Sequence, residues 1–396
     1  MIEIREAGFR VPVKSWLPPD EIEPGAMDQL RNAARHPEVA PHVAVMPDCH
    51  VGYGVTIGCV LPTLGSVLPN AVGVDIGCGM CALDTGVALD PERMGQKFWR
   101  NWAGRVARDV PTGFSAHKRP QDLGELERPL RAGKLQSLVR DKAAVQLGTL
   151  GGGNHFLEAQ VDETGTIWLM VHSGSRHTGL RIANHYNDLA VASSAQRRLD
   201  APPDLASLPL DDRAGQDYLH DMRWAVDFAL ENRARMMDAM VKALEVYLNE
   251  EIDGRAFVNI PHNFARSEAV SGRDLTIHRK GATSADAGDL GIIPGSMGSP
   301  SFIVRGKGNE ESLKSCSHGA GRRMGRNAAK KTITEAEFAA SLEGTYSRPS
   351  AAYLDEAPAA YKDVERVVAR QSDLVDVVHT LRPIVTLKGD SRAKED

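Results

Sequence analysis

Apolar residues recur at three- and four-residue spacing along residues 216–248, the most regular stretch of the chain. This spacing puts them on one face of a helix, because an α-helix returns to the same side about every 3.6 residues. The pattern therefore predicts a long helix over residues 216–248, with its methionines in the hydrophobic core rather than in a cofactor site. The apolar positions on this face are Leu219, Met222, Val226, Leu230, Met237, Met240, Leu244 and Leu248.

Shorter apolar runs bounded by turn residues predict β-strands elsewhere. Residues 42–46 and 55–61 flank a turn-rich segment, residues 47–54, which predicts a strand, a loop and a second strand. Residues 167–172 form another apolar strand, and residues 278–280 lie in a basic one.

Further segments have a helical pattern. Residues 91–144 are helical and charged, a helix rich in Ala and Arg begins near Arg322, and residues 364–381 are apolar with helical spacing. The basic residues 128–140 most simply form a solvated face, and phosphate binding is the alternative. No repeat or low-complexity linker divides the chain, so we expect residues 1–396 to form a single α+β domain.

Composition is typical of globular proteins. Apolar residues make up 42% and charged residues 25% of the chain, and no apolar run is long enough to span a bilayer. The first ten residues are charged and lack the apolar stretch of a secretory signal. We therefore expect a cytoplasmic protein without a membrane anchor.

Charge and cysteine content narrow the compartment and the mode of binding. The net charge is −5, so nucleic acid would have to bind to a local basic patch rather than by bulk attraction. The cysteines form an odd set without disulfide-framework spacing, which suits a reducing compartment. They are Cys49, Cys59, Cys78, Cys81 and Cys316.

A group of residues able to bind metal stands in glycine-flanked turns rather than in periodic apolar elements. A lone histidine is most often structural, but the group as a whole favours a divalent-metal site. The long sequence separations disfavour a structural zinc site, whose ligands come in close pairs. Thiolate and imidazole bind Zn²⁺ more tightly than Mn²⁺, so zinc should inhibit if manganese is the working ion. The candidates are Asp75, Cys78, His155, His172, His262 and His318.

Glycine-rich segments at residues 151–158 and 294–297, together with Ser301, suggest a phosphate-binding surface. Glycines let backbone N–H groups approach phosphate oxygens, and Glu158 can accept a hydrogen bond from the edge of a base. No Walker sequence or dinucleotide-binding spacing accompanies them, so tight structural turns are the simpler interpretation.

His318 has surroundings suited to a nucleophile that attacks phosphorus. Its small neighbours Ser317 and Gly319 leave room for a phosphate. One neutral ring nitrogen attacks, while the other needs a partner that orients it. Arg322, four residues on, is expected on the following helix turn, where its guanidinium can clamp a phosphate.

Several segments, taken together, resemble the RtcB family of RNA ligases. They follow the family's order from about residue 40 to Lys388 and are far more specific jointly than singly. The segments are Met46-Pro47-Asp48 to His50, Val74-Asp75-Ile76-Gly77-Cys78-Gly79, Gly153-Asn154-His155-Phe156, His172-Ser173-Gly174-Ser175-Arg176, Pro261-His262-Asn263, Arg279-Lys280-Gly281-Ala282, Gly295-Ser296-Met297-Gly298 and Cys316-Ser317-His318-Gly319-Ala320-Gly321-Arg322.

The resemblance implies a fold and an activity. The expected fold is an intricate α+β domain with mixed β-sheets around a central cleft for metal and nucleotide. The expected enzyme uses GTP and two Mn²⁺ ions per active site to join RNA ending in a 3′-phosphate or 2′,3′-cyclic phosphate to RNA beginning with a 5′-hydroxyl, in RNA repair or tRNA splicing. A monomer is expected, and the need for an activating partner protein stays open.

The resemblance also implies the metal ligands. Asp75, Cys78 and His155 would hold one Mn²⁺. Cys78, His172 and His262 would hold the other, so the thiolate would bridge both ions.

Catalytic and nucleotide-binding roles follow by position. His318 would attack the GTP α-phosphorus, pass GMP to the RNA 3′-phosphate, and allow the 5′-hydroxyl to displace it. Asp48, Arg176 and Arg322 are expected to manage charge or bind RNA phosphates. The residues expected around the nucleotide are Asn154, His155, Phe156, Leu157, Glu158, His262, Asn263, Pro294, Gly295, Ser296, Met297, Ser301, His318, Gly319, Ala320, Gly321 and Lys388.

Alternative functions stay open at this point. A related enzyme would guanylylate, or cap, the 3′-phosphate ends of damaged RNA or DNA without ligating them. A metal-dependent phosphoesterase would need the metal ligands but not His318. A non-catalytic RNA-binding module fits poorly with the acidic chain and the lack of aromatic RNA-binding motifs.

Overall fold

The computed structural model describes residues 1–389, whose β-strands build two large sheets and two small ones. Valine, isoleucine and threonine recur in the strands because β-branched side chains pack well on a pleated surface. In chain order the strands are β1 (Ile2–Ile4), β2 (Val13–Ser15), β3 (Val43–His50), β4 (Ile57–Thr63), β5 (Ser66–Val67), β6 (Gly79–Ala88), β7 (Phe156–Val161), β8 (Thr166–Ser173), β9 (Leu208–Pro209), β10 (Ala256–Pro261), β11 (Asn263–Val270), β12 (Arg273–Lys280), β13 (Ala282–Ser284), β14 (Leu290–Ile293), β15 (Ser301–Gly306), β16 (Ser315–Ser317) and β17 (Val375–Lys388).

One large sheet has six strands in the order β1-β2-β3-β4-β12-β11. Its β2 and β3 run parallel while its other neighbouring strands are antiparallel, so this sheet is mixed, as predicted. The strand predicted at residues 42–46 is β3, which continues to His50 and so carries Asp48. The predicted strands at residues 55–61 and 278–280 correspond to β4 and to the end of β12.

The other large sheet has seven antiparallel strands in the order β10-β6-β8-β7-β17-β15-β14. The strand predicted at residues 167–172 is β8. The chain passes from this sheet to the six-stranded sheet at His262, which lies between β10 and β11. Small sheets β13-β16 and β5-β9 complete the strand framework of the described residues.

Helices cover the sheets and supply the longest element. The predicted long helix at residues 216–248 is confirmed as α6, which starts three residues earlier and ends at Leu248, where the left-handed backbone of Asn249 caps it. The helices are α1 (Pro24–Arg35), α2 (Gln96–Asp109), α3 (Gln136–Leu138), α4 (Ala144–Gln146), α5 (Arg176–Arg197), α6 (Arg213–Leu248), α7 (Arg326–Thr332), α8 (Glu335–Ala340) and α9 (Val364–Ala369), with a π-helical turn (Val139–Ala143) joining α3 to α4.

The methionines of α6 are core residues, as their spacing predicts. Met236, Met237 and Met240 are at most 2% exposed and pack with Trp99 and Trp102 of α2 against the seven-stranded sheet. Together these side chains form one side of the hydrophobic core that packs α6 against the strands of this sheet.

Several helical predictions were wrong. Residues 110–135 are mostly irregular with short 3₁₀ turns, so only parts of residues 91–144 are helical. The tail predicted as helix forms only the short α9 before β17, where β-branched residues favour the extended backbone. Arg322 stands before α7, which begins at Arg326, so Arg322 is not on a helix turn.

Among residues 1–389, none of the helices combines the length and the apolar character that crossing a bilayer requires.

Candidate metal centre and nucleotide cavity

Neighbouring strands of the seven-stranded sheet bring the predicted metal ligands together at one end of the strands. Cys78 directly precedes β6, His262 directly follows β10, and His172 lies next to the end of β8. The sheet register aligns the first residue of β6 with the last residues of β10 and β8. His155 directly precedes β7, whose first residue pairs with His172. Residues far apart in sequence therefore meet where these strands begin or end.

The tautomers of two histidines follow from their backbone partners. His155 Nδ1 lies 3.0 Å from the carbonyl oxygen of Leu150, and His172 Nδ1 lies 3.2 Å from that of Asn154. A carbonyl oxygen only accepts, so each Nδ1 carries the proton and each Nε2 has a free lone pair. Both Nε2 atoms face the sulfur of Cys78, at 3.4 Å for His155 and 3.3 Å for His172.

Electron-rich atoms therefore converge on one point. The ligand atoms of Cys78, His155 and His172 all lie within 4.8 Å of one another. Oδ2 of Asp75 is also 3.1 Å from His155 Nε2. Lone pairs of carboxylate, thiolate and imidazole approach this closely where a cation lies between them, and histidine ligands commonly donate their other N–H to a carbonyl. These residues fit a divalent metal ion.

His262 extends the cluster. Its Nδ1 atom is buried and has no hydrogen-bond partner among residues 1–389, as expected of a nitrogen reserved for a metal. Burial lowers the pKa of His262 well below 6.5, and it does the same for His172. Both imidazoles are therefore neutral, the form that binds metal.

Imidazole rings form a continuous file from the metal ligands to the predicted nucleophile. The ring centroids of His155 and His172 are 5.2 Å apart, and those of His172 and His262 are 5.1 Å apart. The ring of His318 follows His262 at 4.7 Å. The predicted nucleophile therefore lies beside the metal cluster.

His318 is oriented by a buried carboxylate. Its Nδ1 lies 2.7 Å from Oδ2 of Asp48, which is fully buried on β3. The backbone N–H of His318 donates to the same oxygen at 3.2 Å. Since the carboxylate accepts, Nδ1 carries the proton and Nε2 keeps its lone pair for attack.

His318 opens onto a cavity of about 420 Å³. This volume falls within the range of small-molecule sites, about 300–1,000 Å³. Many predicted nucleotide-binding residues line the cavity: Asn154, Phe156, Glu158, Pro294, Gly295, Ser296, Met297, His318, Gly319, Ala320, Gly321 and Lys388. His172 and Arg322 also line it.

Comparisons with known proteins show the family of this chain. The family model described as tRNA-splicing ligase RtcB matches residues 29–134 and 124–389, which is most of the chain. The chain belongs to the RtcB family. The RNA-splicing ligase RtcB of Escherichia coli K12 is 41% identical over 96% of this chain and 97% of its own length. The tRNA-splicing ligase RtcB of Aeropyrum pernix is 33% identical over 91% of each chain.

Some residues predicted for the nucleotide from the RtcB resemblance lie outside the cavity lining. Leu157 is 1% exposed and packs in the core. Ser301 accepts hydrogen bonds from Gln160 at 3.0 Å and from the backbone of Gly295 at 3.2 Å. Asn263 donates to the carbonyl of Asp75 at 3.1 Å. Ser301 therefore supports the wall of the cavity, and Asn263 supports the turn that carries Asp75.

Glu158 is the acid that faces the cavity from β7. It accepts hydrogen bonds from Gln160 and Thr386, and Lys388 lies nearby. Burial raises its pKa to about 7. Its ionisation is therefore balanced near neutral pH, and only the ionised form can accept from two donors of a base edge at once, since the protonated form keeps a hydrogen on one oxygen.

Glu356 was not predicted from the motifs of the RtcB family. It is a buried acid that pairs with the cationic side chains of the cavity. Glu356 is 2% exposed and accepts from Lys388 at 2.8 Å, from Arg326 at 2.6 Å and from Tyr361 at 2.7 Å. Arg322 lies 3.4 Å away. Burial raises the pKa of Glu356, but the charges of Lys388 and Arg326 outweigh it and leave the pKa below its usual value.

A different cavity reaches the metal cluster from another direction. It has a volume of about 180 Å³ and is lined by Asp75, Arg176, Phe114 and Gln146, among others. Arg176 is 7% exposed and donates to the carbonyl of Gly113 at 2.7 Å. Asp75 therefore connects this smaller cavity with the metal cluster, and Arg176 places positive charge beside it.

Proposed function

We propose that this protein is a GTP- and Mn²⁺-dependent RNA ligase that joins an RNA 3′-phosphate or 2′,3′-cyclic phosphate to an RNA 5′-hydroxyl through guanylylated His318. The observation that carries the proposal is the position of His318, which faces the nucleotide-sized cavity and adjoins the metal cluster. RtcB relatives from bacteria and archaea named as RNA- or tRNA-splicing ligases support the same activity.

The metal centre is proposed to hold two Mn²⁺ ions. Asp75, Cys78 and His155 would bind one, while the other would take Cys78 with His172 and His262. Bound Mn²⁺ would offset the negative charge of the triphosphate and of the phosphate being transferred.

The cavity is proposed to select guanine and to orient GTP. Ionised Glu158 can accept from the N1–H and amino groups of guanine, a pattern that adenine does not offer. Lys388 and the glycine-flanked Ser296 supply donors along the same wall. Asn154 lines the cavity beside the metal ligand His155 and can orient the triphosphate.

His318 is proposed to act as the nucleophile. Its Nε2 lone pair forms the N–P bond to the α-phosphorus as the bond to pyrophosphate breaks. Asp48 offsets the positive charge that then develops on the ring. Water first opens a 2′,3′-cyclic phosphate, where present, to the 3′-phosphate. An oxygen of that 3′-phosphate then takes the GMP from His318, and the RNA 5′-hydroxyl attacks the activated phosphate, losing its proton as GMP leaves.

RNA is proposed to reach the centre through the smaller cavity. Arg176 supplies positive charge there, and Phe114, which is 55% exposed, offers an aromatic face to a base. Asp75 connects this cavity to the metal cluster, while His318 opens onto the other. The nucleotide and the RNA end could thus meet at the metals from different directions.

Ligation of defined RNA ends tests the proposal against its alternatives. Purified protein with GTP and Mn²⁺ should join a 3′-phosphate RNA to a 5′-hydroxyl RNA, and His318→Ala should not. Capped 3′ ends that persist when 5′-hydroxyl RNA is present would favour the capping enzyme. Phosphate release that survives His318→Ala would favour the phosphoesterase.

A further inference from the structure

Arg233 of α6 is a buried cation without a carboxylate partner. Its side chain is 0% exposed, and no ion pair joins it to an acid within residues 1–389. A buried charge is costly unless hydrogen bonds or an opposite charge offset it. The surroundings of Arg233 therefore need an explanation.

The guanidinium of Arg233 holds the backbone on both sides of the metal cluster. Nη1 donates to the carbonyl of Gly77 at 2.8 Å and to that of Ser173 at 2.8 Å. Gly77 directly precedes Cys78, and Ser173 directly follows His172. One group thus fixes the chain next to both ligands.

The same side chain reaches the strand that leads to His262. Arg233 Nε donates at 2.8 Å to Oδ1 of Asn259, whose amide in turn donates to the carbonyl of Leu230 on α6 at 2.9 Å. Asn259 lies on β10, three residues before His262. Arg233 is therefore tied to the segments that carry Cys78, His172 and His262.

Asn232, the preceding residue, holds the backbone of the loop that carries His155 in a similar way. Its Oδ1 accepts from the backbone N–H of Gly148 at 2.7 Å and of Thr149 at 3.0 Å. Its amide nitrogen donates to the carbonyl of Gly174 at 3.2 Å. Successive residues of one rigid helix thus contact the segments around all the histidine and cysteine ligands.

Arg233 also has an unused donor next to the cluster. Its Nη2 atom is buried and has no hydrogen-bond partner among residues 1–389. Of the acidic groups whose charge favours the cationic form of Arg233, Cys78 and Asp75 are proposed metal ligands. The arginine is therefore close to the ligand set in charge as well as in hydrogen bonding.

We propose that Arg233 is a positioning residue of the metal centre, which sets the spacing of Cys78, His172 and His262 from a single point on α6. This inference rests on the proposed metal-dependent function. Groups that orient metal ligands typically change metal affinity by about 10- to 100-fold when they are removed. A residue that served only to stabilise the fold would instead lower the melting temperature and leave the metal site of the folded protein unchanged.

The test compares Arg233→Lys and Arg233→Met with wild type. Lysine keeps the charge but cannot reach all the acceptors at once, whereas methionine removes charge and hydrogen bonds. Arg235→Met is the matched control, because Arg235 lies on the same helix but pairs with Glu231 at the surface. Mn²⁺ affinity is measured by titration without GTP or RNA, and the absorption bands of bound Co²⁺ report the thiolate and imidazole geometry.

Both Arg233 variants should bind Mn²⁺ about 10- to 100-fold more weakly, and at saturating Co²⁺ their bands should be displaced. Arg235→Met should match wild type in both measurements. If a variant at Arg233 does not fold, Asn259→Ala removes one of its anchors and should shift the Co²⁺ bands in the same way. Unchanged affinity and bands in folded variants would overturn the inference alone, whereas a wild type that binds neither metal would overturn the proposed function.

Discussion

His318 Nδ1 lies 2.7 Å from Oδ2 of Asp48, and the backbone N–H of His318 donates to that same carboxylate oxygen at 3.2 Å. The two bonds fix both the tautomer and the direction of the ring. In the neutral ring the proton is therefore on Nδ1, and Nε2 carries the lone pair and points away from Asp48, as a nucleophile toward phosphorus requires.

Asp48→Asn should slow guanylylation by two orders of magnitude or more. An amide can accept from Nδ1 but cannot offset the charge that develops on the ring when Nε2 attacks. Single-turnover labelling with GTP measures the rate, and Mn²⁺ affinity should stay at the wild-type value. Asp28→Asn is the control, since Asp28 is an exposed residue that pairs with Arg31. An equal effect of both substitutions would contradict the assigned role of Asp48.

Cys78→Ser should lower Mn²⁺ affinity on the order of 100-fold, because the thiolate is the ligand that both histidine Nε2 atoms face. Cys81→Ser is the matched control: Cys81 is also buried, but it packs in the hydrophobic core beside α2 and α6. It should lose stability and keep its metal affinity. Metal titration followed by electron paramagnetic resonance distinguishes the two effects. Weak binding in both variants would argue against a special role for Cys78.

Zn²⁺ should inhibit the Mn²⁺-dependent reaction at low concentration. Thiolate and imidazole ligands bind zinc more tightly than manganese, so zinc should displace manganese from Cys78, His155 and His172. The measurement is the rate of guanylylation against added Zn²⁺ at fixed Mn²⁺, with a chelator restoring activity. Full activity with zinc bound in place of manganese would contradict the prediction.

GTP affinity should fall as the pH drops through about 7, because the carboxylate of Glu158, with its pKa of about 7, can accept from both guanine donors at once only when ionised. Glu158→Gln should bind GTP about 10- to 100-fold more weakly at pH 8, with little pH dependence. Equilibrium titrations from pH 6 to 8 measure this. Glu163→Gln, an exposed site just beyond the same strand, is the control. A wild-type affinity that is flat across this range would contradict the role of Glu158.

Folding stability should respond to Glu158 with the opposite sign. The pKa is raised on folding, from 4.5 to about 7, so the native state binds more protons than the unfolded state between these values. The contribution of Glu158 to the free energy of unfolding therefore falls as the pH rises from 4.5 to 7, and it is constant above. Glu158→Gln removes this slope. In urea denaturation, the free energy of unfolding of the variant relative to wild type should therefore rise between pH 4.5 and 7. No difference in slope would contradict the raised pKa.

The sequence identified the residues that meet at the candidate metal cluster better than those that line the cavity. Asp75, Cys78 and His318 stand in glycine-flanked turns, where residue type alone signals chemistry. Leu157 lies in the glycine-rich segment 151–158, but alternation along β7 turns it away from Phe156 and Glu158 into the core.

Other features depended on tertiary structure. Glu356 carries no local motif, and its partners Arg326 and Lys388 are 30 and 32 residues away in sequence. The apolar tail matched a helical period, yet after α9 it forms β17, because the segment pairs with both β7 and β15 and buries Leu381, Ile384 and Val385. The spacing of apolar residues within the segment could not show which strands it would pair with.

Labelling with GTP that carries ³²P on its α-phosphate tests the central claim most directly. Wild type with Mn²⁺ should acquire a label that is lost in acid and kept in base, as expected of a histidine phosphoramidate, and His318→Ala should acquire none. His379→Ala, a surface histidine paired with Glu163, should label like wild type. A label that persists in His318→Ala, or a wild type that binds Mn²⁺ and stays unlabelled, would contradict the account.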